Sequence, residues 1–172
     1  MLRHTGVLYQ KGALWSSMTL AENVALPLRK HKNLSAAASL EEAHRRLGQV
    51  HMQEFADAYP AEIGSGMQKR VAIARALTLD PRYVLFDEPT TSLDPVSARR
   101  VDRLIRELCD EIGVTSVVVS HDLVSIFTIA DRIAMLYKGG VRLLGTQQEF
   151  QNSTDPVVQQ FIAGEAEGPM DV

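Results

Sequence analysis

The spacing of apolar positions changes several times along the chain, and each change marks an element. Tyr83-Val84-Leu85-Phe86 is a continuous apolar run followed by Asp87-Glu88-Pro89, which predicts a short strand buried on both faces with two acids at its C-terminal end. Ser116-Val117-Val118-Val119-Ser120 predicts a second buried strand with His121 at the same end, and residues 6–10 predict a third that closes on the amide of Gln10. From Lys11 to about Asp80 the spacing is helical. Residues 22–28 predict a short helix stopped near Pro27. Ser39-Leu40-Glu41-Glu42 reads as a capping box, with Ser39 as N-cap of a helix that buries Ala43, Leu47 and Val50. Residues 63–67 open a helical pattern that 68–77 continue, with Val71, Ala74 and Leu77 inward and Lys69, Arg70 and Arg75 in water. Asp94-Pro95 starts a further helix with Val101, Leu104, Ile105 and Leu108 as its buried face and Gly113 as its C-cap. A helix over 122–130, a hairpin of 132–137 and 141–145 about Gly139-Gly140, and one or two short helices before a mobile acidic end complete the chain. Strands interleaved with helices place it in the α/β class.

Composition narrows this little. A chain of 172 residues can bury one sizeable core, as one domain or a domain with a subdomain. The net charge of −3 argues against broad nucleic-acid binding. The single cysteine, Cys109, cannot form an internal disulfide and is expected as a buried or half-buried thiol in a reducing cytoplasm. No apolar run has the length of a membrane-spanning helix and the start has no signal-peptide pattern, so any membrane role is expected to come through a partner.

The chemistry is concentrated at Asp87 and Glu88. In an open α/β sheet ligands bind at the C-terminal ends of the strands, and two adjacent acids there need a cation or a proton to share. Mg²⁺ carrying phosphates fits, with Asp87 holding the metal through its water shell and Glu88 polarising the water that attacks a γ-phosphate. Taken alone, the pair is equally consistent with two surface acids at a strand end.

Further pieces stand in a fixed order around that pair: Gln10, then Ile63-Gly64-Ser65-Gly66-Met67, then residues 83–88, then Ser92-Leu93-Asp94, then His121. This order resembles the nucleotide-binding domain of ABC transporters, with its glutamine loop, signature loop, Walker B strand, D-loop and switch histidine. The resemblance implies a partial P-loop NTPase (RecA-like) sheet core with an inserted ABC helical subdomain. It divides the chain into residues 1–12 (core strand and glutamine loop), 13–80 (helical subdomain with signature loop), 81–145 (core) and 146–172 (C-terminal helical tail). It implies ATP and Mg²⁺ as cofactors, with Asp87 and Gln10 at the metal, Glu88 as the water-activating base and His121 as γ-phosphate sensor. Gln10, Gly64, Ser65, Gly66, Met67 and Asp94 would then meet the nucleotide, Asp94 also serving as helix cap and dimer contact. Leu14, Trp15, Met18 and Leu20 are either core or an apolar groove that receives a coupling helix of the permease.

Two departures from the family pattern matter. Relatives read Leu-Ser-Gly-Gly where this chain reads Ile63-Gly64-Ser65-Gly66, so the expected hydroxyl has moved from position 64 to 65 and a weakened grip on ATP is expected. Restoring the order with Gly64→Ser and Ser65→Gly would recover it. No Gly-x-x-x-x-Gly-Lys-Ser/Thr run, the loop that cradles phosphates, occurs in the 172 residues. At least three charge-assisted hydrogen bonds of roughly 1.5–3 kcal/mol each are then missing, so the chain by itself is expected to bind ATP poorly and to show an exposed sheet edge.

Residues 6–15, 22–29 with His31, and 155–161 with Gly168-Pro169 resemble the ATPase subunits of Mla-type phospholipid transporters. This likeness implies a homodimer docked on an integral membrane permease at the inner face of a bacterial inner membrane, with no nucleic-acid partner. Two other readings stay open: a non-catalytic module that docks on the permease or a full-length subunit, and a soluble ABC ATPase outside transport.

Overall fold

A computed structural model describes residues 4–170; the first three residues of the expected core strand segment and the last two of the tail lie outside the described residues. The chain forms two compact units, Met1–His121 and Asp122–Val172.

The first unit is built on a parallel sheet in the order β1 (Thr5–Leu8), β2 (Tyr83–Asp87), β3 (Thr115–Val119). Leu8 is in register with Phe86, and Asp87 with Val119. The three C-terminal ends therefore reach one edge, and Gln10, Glu88 and His121 follow directly from them. β1 lies so close to helix α3 (Ser65–Leu77) that a Cβ on Gly6 would sit 2.2 Å from the Ala76 carbonyl oxygen, so only glycine fits. Leu8, Val84 and Phe86 are buried, as are Val71, Ile73 and Ala74 of α3.

The other sheet face corrects the expectation of strands buried on both sides. Tyr83, Leu85, Val117 and Val119 alternate with the buried positions and are exposed, Val117 by 59% and Val119 by 50%. The apolar run reports β-propensity, while burial follows what packs on each face, and among the described residues this face is open.

Helix α1 (Leu20–His31) starts two residues earlier than the sequence pattern suggests because Thr19 and Glu22 form a capping box, at 3.2 and 2.8 Å. It also continues through Pro27 instead of ending there. The proline removes one N–H from the ladder, but Val24, Ala25 and Leu28 are buried and α1 packs along α2 (Ala36–Gln49), which holds the helix across the gap. Buried Asn23 shapes the preceding loop: its Nδ2 donates to the carbonyls of Trp15, Met18 and Thr19, and its Oδ1 accepts from the Trp15 N–H at 2.7 Å. The four apolar residues of that region divide. Leu20 is core, Leu14 and Met18 are half-buried, and Trp15 is 58% exposed.

The cap of α2 is Ser35, whose Oγ accepts from the Ala38 N–H, and not Ser39. Three alanines propagate the helix a turn ahead of the expected start, so Ser39 is interior and its hydroxyl donates to the Ala36 carbonyl at 2.8 Å. Glu42 is thereby released for Arg45 and Arg46, while buried Arg46 also binds Asp80, which Lys32 reaches at 2.9 Å. The hydrogen bond from Arg45 chiefly, opposed by burial and helped by Arg46, holds the Glu42 carboxyl down to about 2, from an ordinary value of 4.5. A depressed carboxylate stabilises the fold above its unfolded value and loses that contribution as pH falls toward its folded value. Stability is therefore expected to decline between pH about 4.5 and about 2, and Glu42→Gln to flatten that part of an acid titration followed by circular dichroism. An unchanged acid slope in the variant would show that other carboxylates set it.

Helix α4 (Pro95–Ile112) matches its sequence signals: Asp94 Oδ1 accepts from the Val96 and Ser97 N–H groups at 3.0 Å, and Gly113 closes it at φ 70°. Cys109 on α4 is buried, and desolvation pushes its thiol pKa up.

In the second unit α5 (Leu123–Ile129) is capped by Asp122, and β4 (Ile133–Tyr137) pairs antiparallel with β5 (Gly140–Gly145). The turn residues are Lys138 and Gly139, both left-handed, one position earlier than expected. Helices α6 (Gln147–Gln151) and α7 (Pro156–Ala163) bring Phe150, Val157 and Val158 onto Ile133 and Met135. Pro169 and Met170 are held where a mobile segment was expected: the Met170 N–H donates to Gln160 Oε1 at 2.7 Å and the Tyr137 hydroxyl to the Pro169 carbonyl.

Candidate functional site

The shared edge of the sheet assembles the site. Glu88 follows β2, and its N–H donates to the Val119 carbonyl at 2.9 Å, extending the pairing one residue beyond the strand. It then turns left-handed, at φ 46°, a conformation that costs a non-glycine residue energy and persists where the surroundings fix it. Its carboxylate is held from two sides: the Thr91 hydroxyl donates to Oε2 at 2.8 Å, and His121 Nδ1 lies 2.9 Å from Oε1. Glu88 is mostly shielded, whereas the His121 ring is largely open to solvent. Asp87 is half-buried beside it at the end of β2.

Lys69 changes the reading of α3. The expectation that Lys69, Arg70 and Arg75 form a solvated face is overturned, because all three reach backbone carbonyls. Lys69 is only 6% exposed, and its ammonium donates to the Gln10 carbonyl and, at 3.1 Å, to that of Glu88. Arg75 donates to Ala13 and Gly12, both at 2.7 Å, and Arg70 to Val50 and His51. Burial pushes the Lys69 pKa down, and the charges of Asp87 and Glu88 oppose that shift. A sequence signal was present: Val71, Ala72, Ile73 and Ala74 are consecutive small and apolar residues, the mark of a helix buried all round, on which a lysine has no water side.

Gln10 lies in the turn after β1, closed by the Gly12 N–H on the Tyr9 carbonyl at 2.8 Å. Its side chain is exposed and lines a cleft of about 150 Å³ with Ser65, Gln68, Lys69, Thr91 and Ser92. Gly64 is the N-cap of α3 and offers no side-chain cap, so the first-turn amides of Ser65, Gly66 and Met67 have no acceptor within the helix. Gln68 anchors this start by donating to the Pro60 and Ile63 carbonyls. A Cβ on Gly64 would meet nothing within 4 Å, so a serine fits there. Gly66 packs near Ser97 of α4. The structure thus gathers Asp87, Glu88 and His121 at the sheet edge and joins Gln10 and Ser65 in the adjoining cleft. Asp94 caps its own helix, and its exposed carboxylate pKa is lowered first by the Ser97 side chain.

No cluster of three or more His, Cys, Asp or Glu suited to a metal occurs among the described residues. None of the described helices is long and apolar enough to cross a membrane.

Residues 1–91 match the family described as ABC transporter. The chain is 38% identical over 168 residues to the "Intermembrane phospholipid transport system ATP-binding protein MlaF" of Escherichia coli K12, covering 98% of this chain and 62% of that protein. It is 36% identical over 165 residues to the "Probable ribonucleotide transport ATP-binding protein mkl" of Mycobacterium bovis, covering 96% of this chain and 46% of that one. The chain therefore spans less than two thirds of the length of these curated relatives. Among solved structures it resembles the dimeric post-hydrolysis state of the ATP-binding cassette MJ0796 bound to ADP and Pi, with a TM-score of 0.72 and 33% identity over 83% of this chain and 62% of that one.

Proposed function

Because the chain belongs to the ABC transporter family, we propose that it is the ATP-binding subunit of an envelope lipid transporter, coupling ATP hydrolysis to phospholipid movement. The observation that carries the reading is the Glu88 carboxylate, held between Thr91 and His121 at the C-terminal edge of a parallel sheet, with Asp87 beside it. In that place Glu88 accepts the proton of the attacking water, since each carboxylate oxygen keeps a lone pair beyond its present partner. His121, exposed and within reach of Glu88, meets the γ-phosphate and reports its presence through that contact.

The donor chemistry fits Mg²⁺. Asp87 and Gln10 offer hard oxygens, as an ion held by one or two protein groups, waters and nucleotide phosphates requires. When bound, Mg²⁺ supplies positive charge to the phosphate oxygens. The phosphate cradle is not among these 172 residues, so hydrolysis requires a cradle supplied from outside them, in an ATPase dimer docked on a permease at the inner face of a bacterial inner membrane. The exposed Trp15 and half-buried Leu14 are the permease-facing residues on this reading. The likeness to a phospholipid-transport ATP-binding protein favours a lipid cargo.

The test is the assembly reconstituted with its permease in phospholipid vesicles. Mg²⁺-dependent hydrolysis with ATP-dependent transfer of labelled phospholipid is expected. Hydrolysis without lipid transfer would overturn the cargo, and no hydrolysis would favour a docking module over an ATPase.

A further inference from the structure

Resting on the ATPase reading above, the geometry points to Lys69 as a positioning residue that links the Gln10 loop to the water-activating Glu88 through one buried ammonium. The two carbonyls it joins, those of Gln10 and Glu88, follow adjacent strands of the sheet. The bond to Glu88 acts at the point where that residue is left-handed. There the Val119 carbonyl fixes its N–H and Lys69 fixes its C=O, so the direction of the Glu88 side chain is set by groups on β3 and α3. A buried ammonium that loses one of its carbonyls is left with an unmet donor. Movement of the Gln10 loop is therefore transmitted to Glu88 and does not stay local. The arrangement ties a loop on the cleft wall to the base with a single side chain of α3, the helix whose first turn lines the same cleft.

Lys69→Met removes the charge at similar length and Lys69→Arg keeps it. The first measurement is amide hydrogen exchange of the nucleotide-free 172-residue chain. Lys69→Met is expected to speed exchange at the Gly12 and Glu88 amides at least tenfold, with the Ile105 and Leu108 amides of α4 within twofold, and Lys69→Arg to restore most of the protection. The second is turnover of the permease assembly. Lys69→Met is expected to lower kcat at least tenfold with KM for ATP within twofold, and Lys69→Arg to recover half or more. Unchanged exchange at Gly12 and Glu88, a uniform rise that includes α4, or a KM effect without a kcat effect would overturn the assignment. Should Lys69→Met fail to fold, Lys69→Gln serves the same comparison. If the wild-type assembly does not hydrolyse ATP, the ATPase reading fails, and the exchange data still decide whether Lys69 links the two segments.

Discussion

Replacing Glu88 with Gln is expected to lower ATP turnover of the complete assembly by on the order of 10²–10⁴-fold, the range for losing a positioned general base, while nucleotide affinity stays within a few-fold. The substitution is close to isosteric. The amide oxygen still accepts from the Thr91 hydroxyl, and the amide N–H₂ can donate to His121 Nδ1, so both present contacts survive. What is lost is the capacity to take a proton from water. Single-turnover phosphate release beside a nucleotide binding isotherm separates the two quantities. Unchanged turnover would reject Glu88 as the base.

The second large effect is on stability. Phe86→Ala is expected to destabilise the first unit by about 3–5 kcal/mol, the usual cost of deleting a buried aromatic ring. Phe86 is fully buried at the centre of the sheet, in register with Leu8 on one side and Val118 on the other. Leu85→Ala, one residue away on the open face, is expected to cost less than about 1 kcal/mol. Urea unfolding of the two variants, followed by exchange of the α3 amides, gives the comparison. Equal costs would contradict the alternation of buried and open positions along β2.

The contrast between these neighbours explains what the sequence made legible. Signals carried by one or two residues and their own backbone transferred directly: Asp94-Pro95 starts α4 and Gly113 ends it. The acids and His121 were placed by the strands that precede them, and the parallel register brings those strand ends together. Properties that depend on the opposite surface were not legible. The runs of β2 and β3 look alike on both faces, yet one is open. Pro27 reads as a stop, but packing of α1 overrides it. Ser39 offered a plausible cap, and the alanines before it moved the start to Ser35. Lys69 looked like a surface cation because its partners, Gln10 and Glu88, are distant in sequence.

That distance in sequence also governs how the unit comes together on the ribosome. Thr5 pairs with Tyr83 and Leu8 with Phe86, while β2 and β3 pair across the much shorter interval from Tyr83 to Thr115. Each doubling of such a closing segment adds only about 0.6 kcal/mol of entropy, so the long connection is a small thermodynamic burden. Its cost falls on time. At roughly 5–20 residues per second, several seconds of synthesis separate β1 from β2, and through that interval β1 waits without this partner.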